Sequence, residues 1–156
     1  MTRATRLLPE HADAMADLHR RVFRSGDAWS ADAFRQNLSL ASSRAIGRWQ
    51  DAKLAAFLVV QYVAPDAEIL TIATAPEVQR RGFARDLVAY LERDLSASGL
   101  KKWLLDVAAD NPAAISFYEN IGFQRDGRRS GYYNRLEGPR IDAILMTKHL
   151  ARQETH

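Results

Sequence analysis

Hydrophobic positions along this chain recur with two spacings, every third or fourth residue and every second, and the switches between them mark out its elements. Leu8, Ala12, Met15, Leu18 and Val22 fall at helical spacing, with Pro9 suited to a first turn. Ser30 is an N-cap candidate for a second short helix carrying Phe34 and Leu38 on one face. SRAIGRWQD and KLAAFLVVQYVAP read as paired strands that turn near Asp51 and Ala52, and EILTIATA predicts another strand. Phe83, Leu87, Leu91 and Leu95 then repeat every fourth residue, a helix that stops near Ser98 and Gly99. KKWLLDVAA predicts a strand, NPAAISFYENIG a capped helix, and YYNRL and RIDAILMTKHL two closing strands.

The strand–helix–strand passage from 68 to 108 implies that EILTIATA and KKWLLDVAA run parallel, joined by a crossover helix. The expected fold class is therefore α/β, or α+β, with a mixed sheet that is antiparallel at first and parallel in its middle. Repeats, low-complexity tracts and linkers are absent, so residues 1–156 are expected to form one domain.

Composition narrows the function. With 47% hydrophobic and 26% charged residues the chain is an ordinary soluble protein. It has no cysteine, which excludes disulfides, zinc–thiolate sites and a cysteine nucleophile, and a cytoplasmic location is expected. The longest apolar run, LAAFLVV, is far short of the roughly 20 residues that span a bilayer, and MTRATRLLPEH has no signal-like apolar stretch. Neither membrane nor metal is expected as a partner. A net charge of +3 permits an anionic ligand without requiring one. The four histidines lie near the chain ends and no GxSxG elbow is present, which argues against a hydrolase. His11 and His19 read most simply as surface positions of the first helix.

The most informative stretch is TIATAPEVQRRGFARDLVAYL, residues 71–91, where Arg80, Arg81 and Arg85 surround Gly82 as a helix begins. A helix start offers unpaired N–H groups and the positive end of its dipole, a setting that favours phosphate. Gly82 leaves the backbone open to close approach, Ala84 keeps it shallow, and the arginines add charge-assisted bonds. GxxxxGK[ST] and GxGxxG are both missing, so neither a nucleotide-hydrolysing loop nor a dinucleotide fingerprint is present. Taken alone, the stretch reads equally as a solvated basic helix start. A nucleic-acid module is disfavoured because no aromatics interleave with the basic residues from 79 to 85.

Gln79, Arg80, Arg81, Gly82, Phe83 and Ala84 meet the pattern [Q/R]-x-x-G-x-[G/A], and Asn111, Ala114, Tyr118, Gly122 and Phe123 meet N-x-x-A-x-x-x-Y-x-x-x-G-F. Both patterns, separated by a helix and a strand, resemble those of the GNAT N-acetyltransferases. TIATAPEVQRRGFA, NPAAISFYENIGF and the late GYY followed by DAILM are similar to the bacterial ribosomal-protein-alanine acetyltransferases, the RimI group. The resemblance runs over residues 5–148 in element order and is most specific from 68 to 146. It implies a mostly antiparallel sheet whose central parallel strands splay apart, flanked by helices. It also implies acetyl-CoA as co-substrate and an amine acceptor: the N-terminal α-amine of a protein such as a ribosomal protein, or alternatively a lysine or a small amine.

The resemblance implies roles for particular residues. The backbone of Ile72, Ala73 and Thr74 would pair with the pantetheine arm, the loop from Gln79 to Ala84 with Arg85 would hold the diphosphate, and Asn111 would touch the cofactor. Asn111 also has a local reading as an N-cap before Pro112. Tyr118 would protonate the departing sulfur, and with a pKa near 10 it holds its proton at neutral pH; the alternative is an amphipathic core tyrosine. Asp106 stands where the group carries a glutamate, and Ala108 where it often carries arginine. Aspartate reaches about 1.5 Å less, so a bridging water or the runner-up base, Glu68, enters. A strand-end carboxylate paired with a cation is the plain reading of Asp106. Tyr132 and Tyr133 are expected in a loop where the family walls its acceptor, the alternative being that adjacent aromatics simply pack, with Arg128 and Arg129 solvated. An acidic rim of Glu68, Asp106, Glu119 and Asp142 is expected to offset the chain's basic charge toward a basic acceptor. A protein α-amine, with pKa near 7.8, is roughly one-tenth neutral at pH 7, whereas a lysine near 10.4 is below a thousandth. That difference favours an α-amine acceptor where the base is distant.

Overall fold

The computed structural model describes residues 4–24, 26–135 and 138–151. Its seven strands form one sheet in the order β1-β2-β3-β4-β5-β7-β6. They are β1 (Thr5–Arg6), β2 (Ser43–Gln50), β3 (Lys53–Val63), β4 (Asp66–Thr74), β5 (Lys102–Ala108), β6 (Gln124–Tyr133) and β7 (Ile141–His149). The helices are α1 (Ala12–Val22), α2 (Ala31–Leu38), α3 (Phe83–Ser96) and α4 (Pro112–Asn120). Every pairing is antiparallel except β4 with β5.

Local chemistry sets the boundaries. Asp51 and Ala52 both adopt positive φ, which supplies the tight turn between β2 and β3. The Ser30 hydroxyl accepts from the Ala33 N–H at 3.1 Å, and the Asn111 side chain accepts from Ala114 N–H at 3.1 Å, so both expected caps form. At the first helix Ala12, Met15 and Leu18 are buried as expected, but ahead of it Leu8 is 38% exposed and Leu7 is buried in its place. Pro9 opens a 3₁₀ turn, Pro9–His11, ahead of α1, and this turn swings Leu8 outward.

Two apolar clusters sandwich the sheet. Under one face, Leu87, Val88, Leu91 and Leu95 of α3 and Ile115 and Tyr118 of α4 pack on β2 to β5 and β7. On the other face, α1 and α2 pack Met15, Leu18 and Phe34 against Phe57, Val59 and Ala73 of β3 and β4. No described residue of β5 or β7 joins this second cluster, so α1 and α2 pack mainly on the β3 and β4 side of that face.

The pairing of β4 with β5 stops early. Asp66, Ala67 and Glu68 pair with Lys102, Trp103 and Leu104, and beyond them β4 continues to Thr74 and β5 to Ala108 without a further rung. The cause is visible in β4. Its register against β3 jumps from Val59↔Thr71 to Val60↔Ile69, leaving Leu70 as an extra residue. Such a bulge bends its strand, and here it turns the upper half of β4 away from β5.

Two expectations are corrected here. His19 is not a surface residue: it is 1% exposed and stacked on Phe23 at 4.0 Å between ring centroids, with Trp29, Phe34 and Phe57 around it. Both ring nitrogens are engaged, with Thr71 Oγ1 and Trp29 N–H, which is what allows a polar ring to be buried. His156 lies outside the described residues. The sixth strand is Gln124–Tyr133: it starts eight residues before YYNRL and keeps only its two tyrosines, which therefore end a strand and do not sit in the acceptor loop. Most of β6 is exposed, so it shows no alternation; backbone pairing with β7 defines it. Leu136, the last residue of YYNRL, lies outside the described residues.

Candidate active site

The splay leaves the β5-facing backbone of β4 without strand partners along Ile72, Ala73 and Thr74. At the top of that edge the chain turns through the 3₁₀ segment Pro76–Val78 and enters α3. Arg80 has φ 66°, costly for a side chain with a Cβ, and Gly82, the N-cap, has φ 79°. Left-handed residues beside a helix start favour a backbone concavity suited to an anion. Gly82 meets two demands at once: its conformation favours glycine, and a Cβ there would project into open space where a ligand would approach.

Beside this helix start lies a cavity of about 330 Å³ lined by Thr74, Gln79, Arg80, Gly82, Phe83, Ala84, Arg85, Phe117, Asn120 and Ile121. Six of the loop residues singled out in the sequence therefore line one cavity with Thr74. Arg81, Ile72, Ala73, Asn111 and Tyr118 do not line it. Gln79 has a local task, donating its amide to the Thr74 carbonyl at 3.2 Å and closing the turn. Asn111 spends its oxygen on the α4 cap. Phe117, Asn120 and Ile121 also line the cavity, although in the sequence they read as ordinary positions of α4 and its end.

Toward the cleft, four titratable groups gather. Trp103, Leu105 and Val107 of β5 face the core, so alternation turns Asp106 to the opposite, open side. Its Oδ1 is buried with no hydrogen-bond partner, and Arg129 Nε stands 4.0 Å away. Glu68, on the last paired rung of β4, has its pKa raised first by burial and then by the Asp106 charge, with Arg129 partly opposing. The Tyr133 phenol is pushed up to about 12 by burial and then by Asp106. Tyr118 is 6% exposed, and burial followed by the Tyr133 neighbour raises its pKa well above the usual tyrosine value. Its ring packs on Phe117 and Phe123, so it is both a core residue and an electrostatic neighbour of the open face.

The expected acidic rim is largely neutralised by arginines of β6. Arg125 pairs with Glu119 at 3.5 Å and Arg128 with Asp142 at 2.6 Å; Arg128 and Arg129 are exposed as expected, and each also reaches a carboxylate. A clamp that the sequence did not reveal joins three distant segments. Arg135, its side chain 13% exposed, reaches Asp110 at 2.9 Å and Asp27 at 3.4 Å, and Arg24 approaches Asp110 at 3.6 Å. Residues remote in sequence thus tie the segment after α1, the loop before α4 and the end of β6 together. Among the described residues no three side chains are grouped to hold a metal, and no helix is long and apolar enough to cross a membrane.

Comparisons with known proteins agree with this geometry. The profile described as "Acetyltransferase (GNAT) family" matches residues 12–123. The chain is 40% identical over 97 residues to the [Ribosomal protein bS18]-alanine N-acetyltransferase of Escherichia coli K12, a match spanning 62% of this chain and 65% of that protein. It is 30% identical to N-alpha-acetyltransferase RimI of Mycobacterium tuberculosis, over 88% of this chain and 85% of that one. The crystal structure of the E. coli ribosomal-protein-S18-alanine N-acetyltransferase superposes with a TM-score of 0.86 at 30% identity, covering 100% and 99% of the two chains.

Proposed function

We propose, because this chain belongs to the acetyltransferase (GNAT) family, that it moves an acetyl group from acetyl-CoA to the N-terminal α-amine of a protein. The observation that carries the proposal is the early end of the β4–β5 pairing, with an anion-suited helix start at one end and Tyr118, Asp106 and Glu68 at the other. The single unit over residues 1–156 is part of the same reading, as is an acceptor resembling the ribosomal protein in the relatives' names.

The chain's own groups divide the work. The N–H groups of the turn from Arg80 to Ala84, with Arg81 and Arg85 near them, bind the diphosphate. Gln79 holds the turn to Thr74. The free edge of Ile72, Ala73 and Thr74 bonds the pantetheine arm as an added strand, and an N–H from that edge stabilises the oxygen as charge develops on the thioester carbonyl. Asn111 caps α4 and offers its remaining amide N–H to the same arm. The coenzyme supplies a thioester carbon that an amine can attack.

The proton inventory balances over one turnover through exchange with solvent. A neutral amine forms the C–N bond, and its surplus proton passes through a water to Asp106 Oδ1, which has no hydrogen-bond partner, with Glu68 beside it as the second carboxylate. As the C–S bond breaks, Tyr118 gives its proton to the sulfur; solvent then takes the proton from Asp106 and returns one to Tyr118. A base acting through water suits an α-amine, about a tenth of which is neutral at pH 7, far better than a lysine.

Acetyl-CoA turnover on three acceptors tests the assignment. An alanine-starting basic peptide is expected to react at least tenfold faster than the same peptide with a blocked N-terminus and one free lysine, and faster than small amines. Equal or better use of the lysine peptide or a polyamine moves the acceptor class while leaving the donor site in place. A silent coenzyme in calorimetry would remove the donor site itself.

A further inference from the structure

The start of α3 is backed by a cation from a distant strand. Arg48 of β2 lies over the Phe83 ring, its guanidinium carbon 3.9 Å from the ring centroid, and its Nη1 stands 3.3 Å from Asp86 Oδ2. The side chain is only 16% exposed. The sheet register explains how it gets there. Arg48 is opposite Ala56, and Ala56 is opposite Thr74, so the three form one row across β2, β3 and β4. Ala56, fully buried and small, leaves room beside the helix start that a larger side chain would fill.

Phe83 is the first residue of α3, lines the cavity beside Gly82 and packs against both apolar clusters. A ring in that position sets where the left-handed turn of Arg80 to Gly82 can sit. Asp86 is the acidic residue in the first turn of α3. A carboxylate there suits the helix dipole but opposes an anionic ligand at the same helix start. An exposed ion pair contributes little, and Asp86 is 67% exposed, so stacking on the ring is the larger of the two contacts.

We infer that Arg48 is a positioning residue for diphosphate binding: it clamps Phe83, and with it the glycine turn. The inference rests on the reading of this helix start as the coenzyme A site. Nothing in the QRRGFA pattern points to it, because Arg48 lies more than thirty residues upstream on another element.

Calorimetry with coenzyme A on the full chain tests it through a double-mutant cycle, with unfolding midpoints measured on the same samples. Arg48→Gln is expected to weaken coenzyme A binding about five- to twentyfold. Phe83→Leu should weaken it similarly, and the combined variant should be no worse than Phe83→Leu within about twofold, since both changes remove one contact. Should Arg48→Gln not fold, Arg48→Lys enters the same cycle, keeping a cation without the planar stack. An unchanged dissociation constant with only a lowered midpoint makes Arg48 merely structural, and losses that multiply in the double variant separate it from Phe83; either result overturns the inference. No heat from the unaltered protein would instead remove the coenzyme reading, and this inference with it.

Discussion

His19 Nε2 lies 2.8 Å from Thr71 Oγ1, joining α1 to the residue that follows the β4 bulge. Because Nδ1 of the same ring accepts the Trp29 N–H at 2.9 Å, the proton sits on Nε2 and the threonine oxygen accepts it. The buried ring therefore fixes two things at once, the segment that leads into α2 and the strand whose bend opens the cleft.

That ring makes stability depend on acid in a defined window. Burial lowers the His19 pKa from 6.5 to about 4. Between these values the unfolded chain binds a proton that the folded chain refuses, so stability is complete above about pH 6.5 and is lost progressively as pH falls toward 4. Urea unfolding from pH 7.5 to 4 should show this slope, and His19→Gln, which cannot titrate, should flatten it while costing about 1–3 kcal/mol at neutral pH. An unaltered slope in the variant would assign it to carboxylates instead.

Tyr118→Phe is expected to lower kcat at least tenfold while leaving coenzyme A affinity within about twofold. Its raised pKa has a second consequence: the acid keeps its proton through the usual assay range, so its own deprotonation should produce no alkaline decline in kcat below about pH 10. Unchanged turnover in the variant would strip Tyr118 of the acid role.

The two carboxylates can be separated by their pH limbs. Asp106→Ala should flatten the acidic limb of kcat/KM if its lone oxygen receives the proton. The Asp106 charge helps to raise the Glu68 pKa, so if Glu68 is the base the same substitution will move the limb to lower pH without abolishing it. Glu68→Gln would then do the flattening.

Gly82→Ala should weaken coenzyme A binding by at least tenfold and cost about 1–2 kcal/mol of stability, the penalty for holding a Cβ at left-handed φ. The methyl group meets no protein atom within 4 Å, so the loss in affinity reports the ligand's own approach. Wild-type affinity in this variant would falsify the close approach of phosphate to the Gly82 backbone.

Much of the fold was legible because it is written in short-range chemistry. The fourfold leucine spacing of α3, the Ser30 and Asn111 caps, the Asp51–Ala52 turn and the crossover between β4 and β5 each depend on neighbours a few residues apart. Gln79 to Ala84 could be marked for the same reason, since a helix start and a glycine N-cap are local events. β6 escaped because an exposed edge strand carries no hydrophobic alternation, and its hydrogen bonds are made with β7.

By itself, then, the sequence determined a crossover unit with a basic glycine turn at the head of its helix and a tyrosine on the helix that follows. Tertiary structure alone decided that Leu70 bulges and ends the β4–β5 ladder, that His19 turns inward, and that arginines of β6 quench the acidic rim. It also decided that Arg135 bridges Asp27 to Asp110 and that Arg48 crosses Ala56 to reach Phe83. The physical reason is common to all of these. Each depends on the distance and dielectric between groups far apart in the chain, and no spacing along the sequence encodes either until the sheet has brought them together.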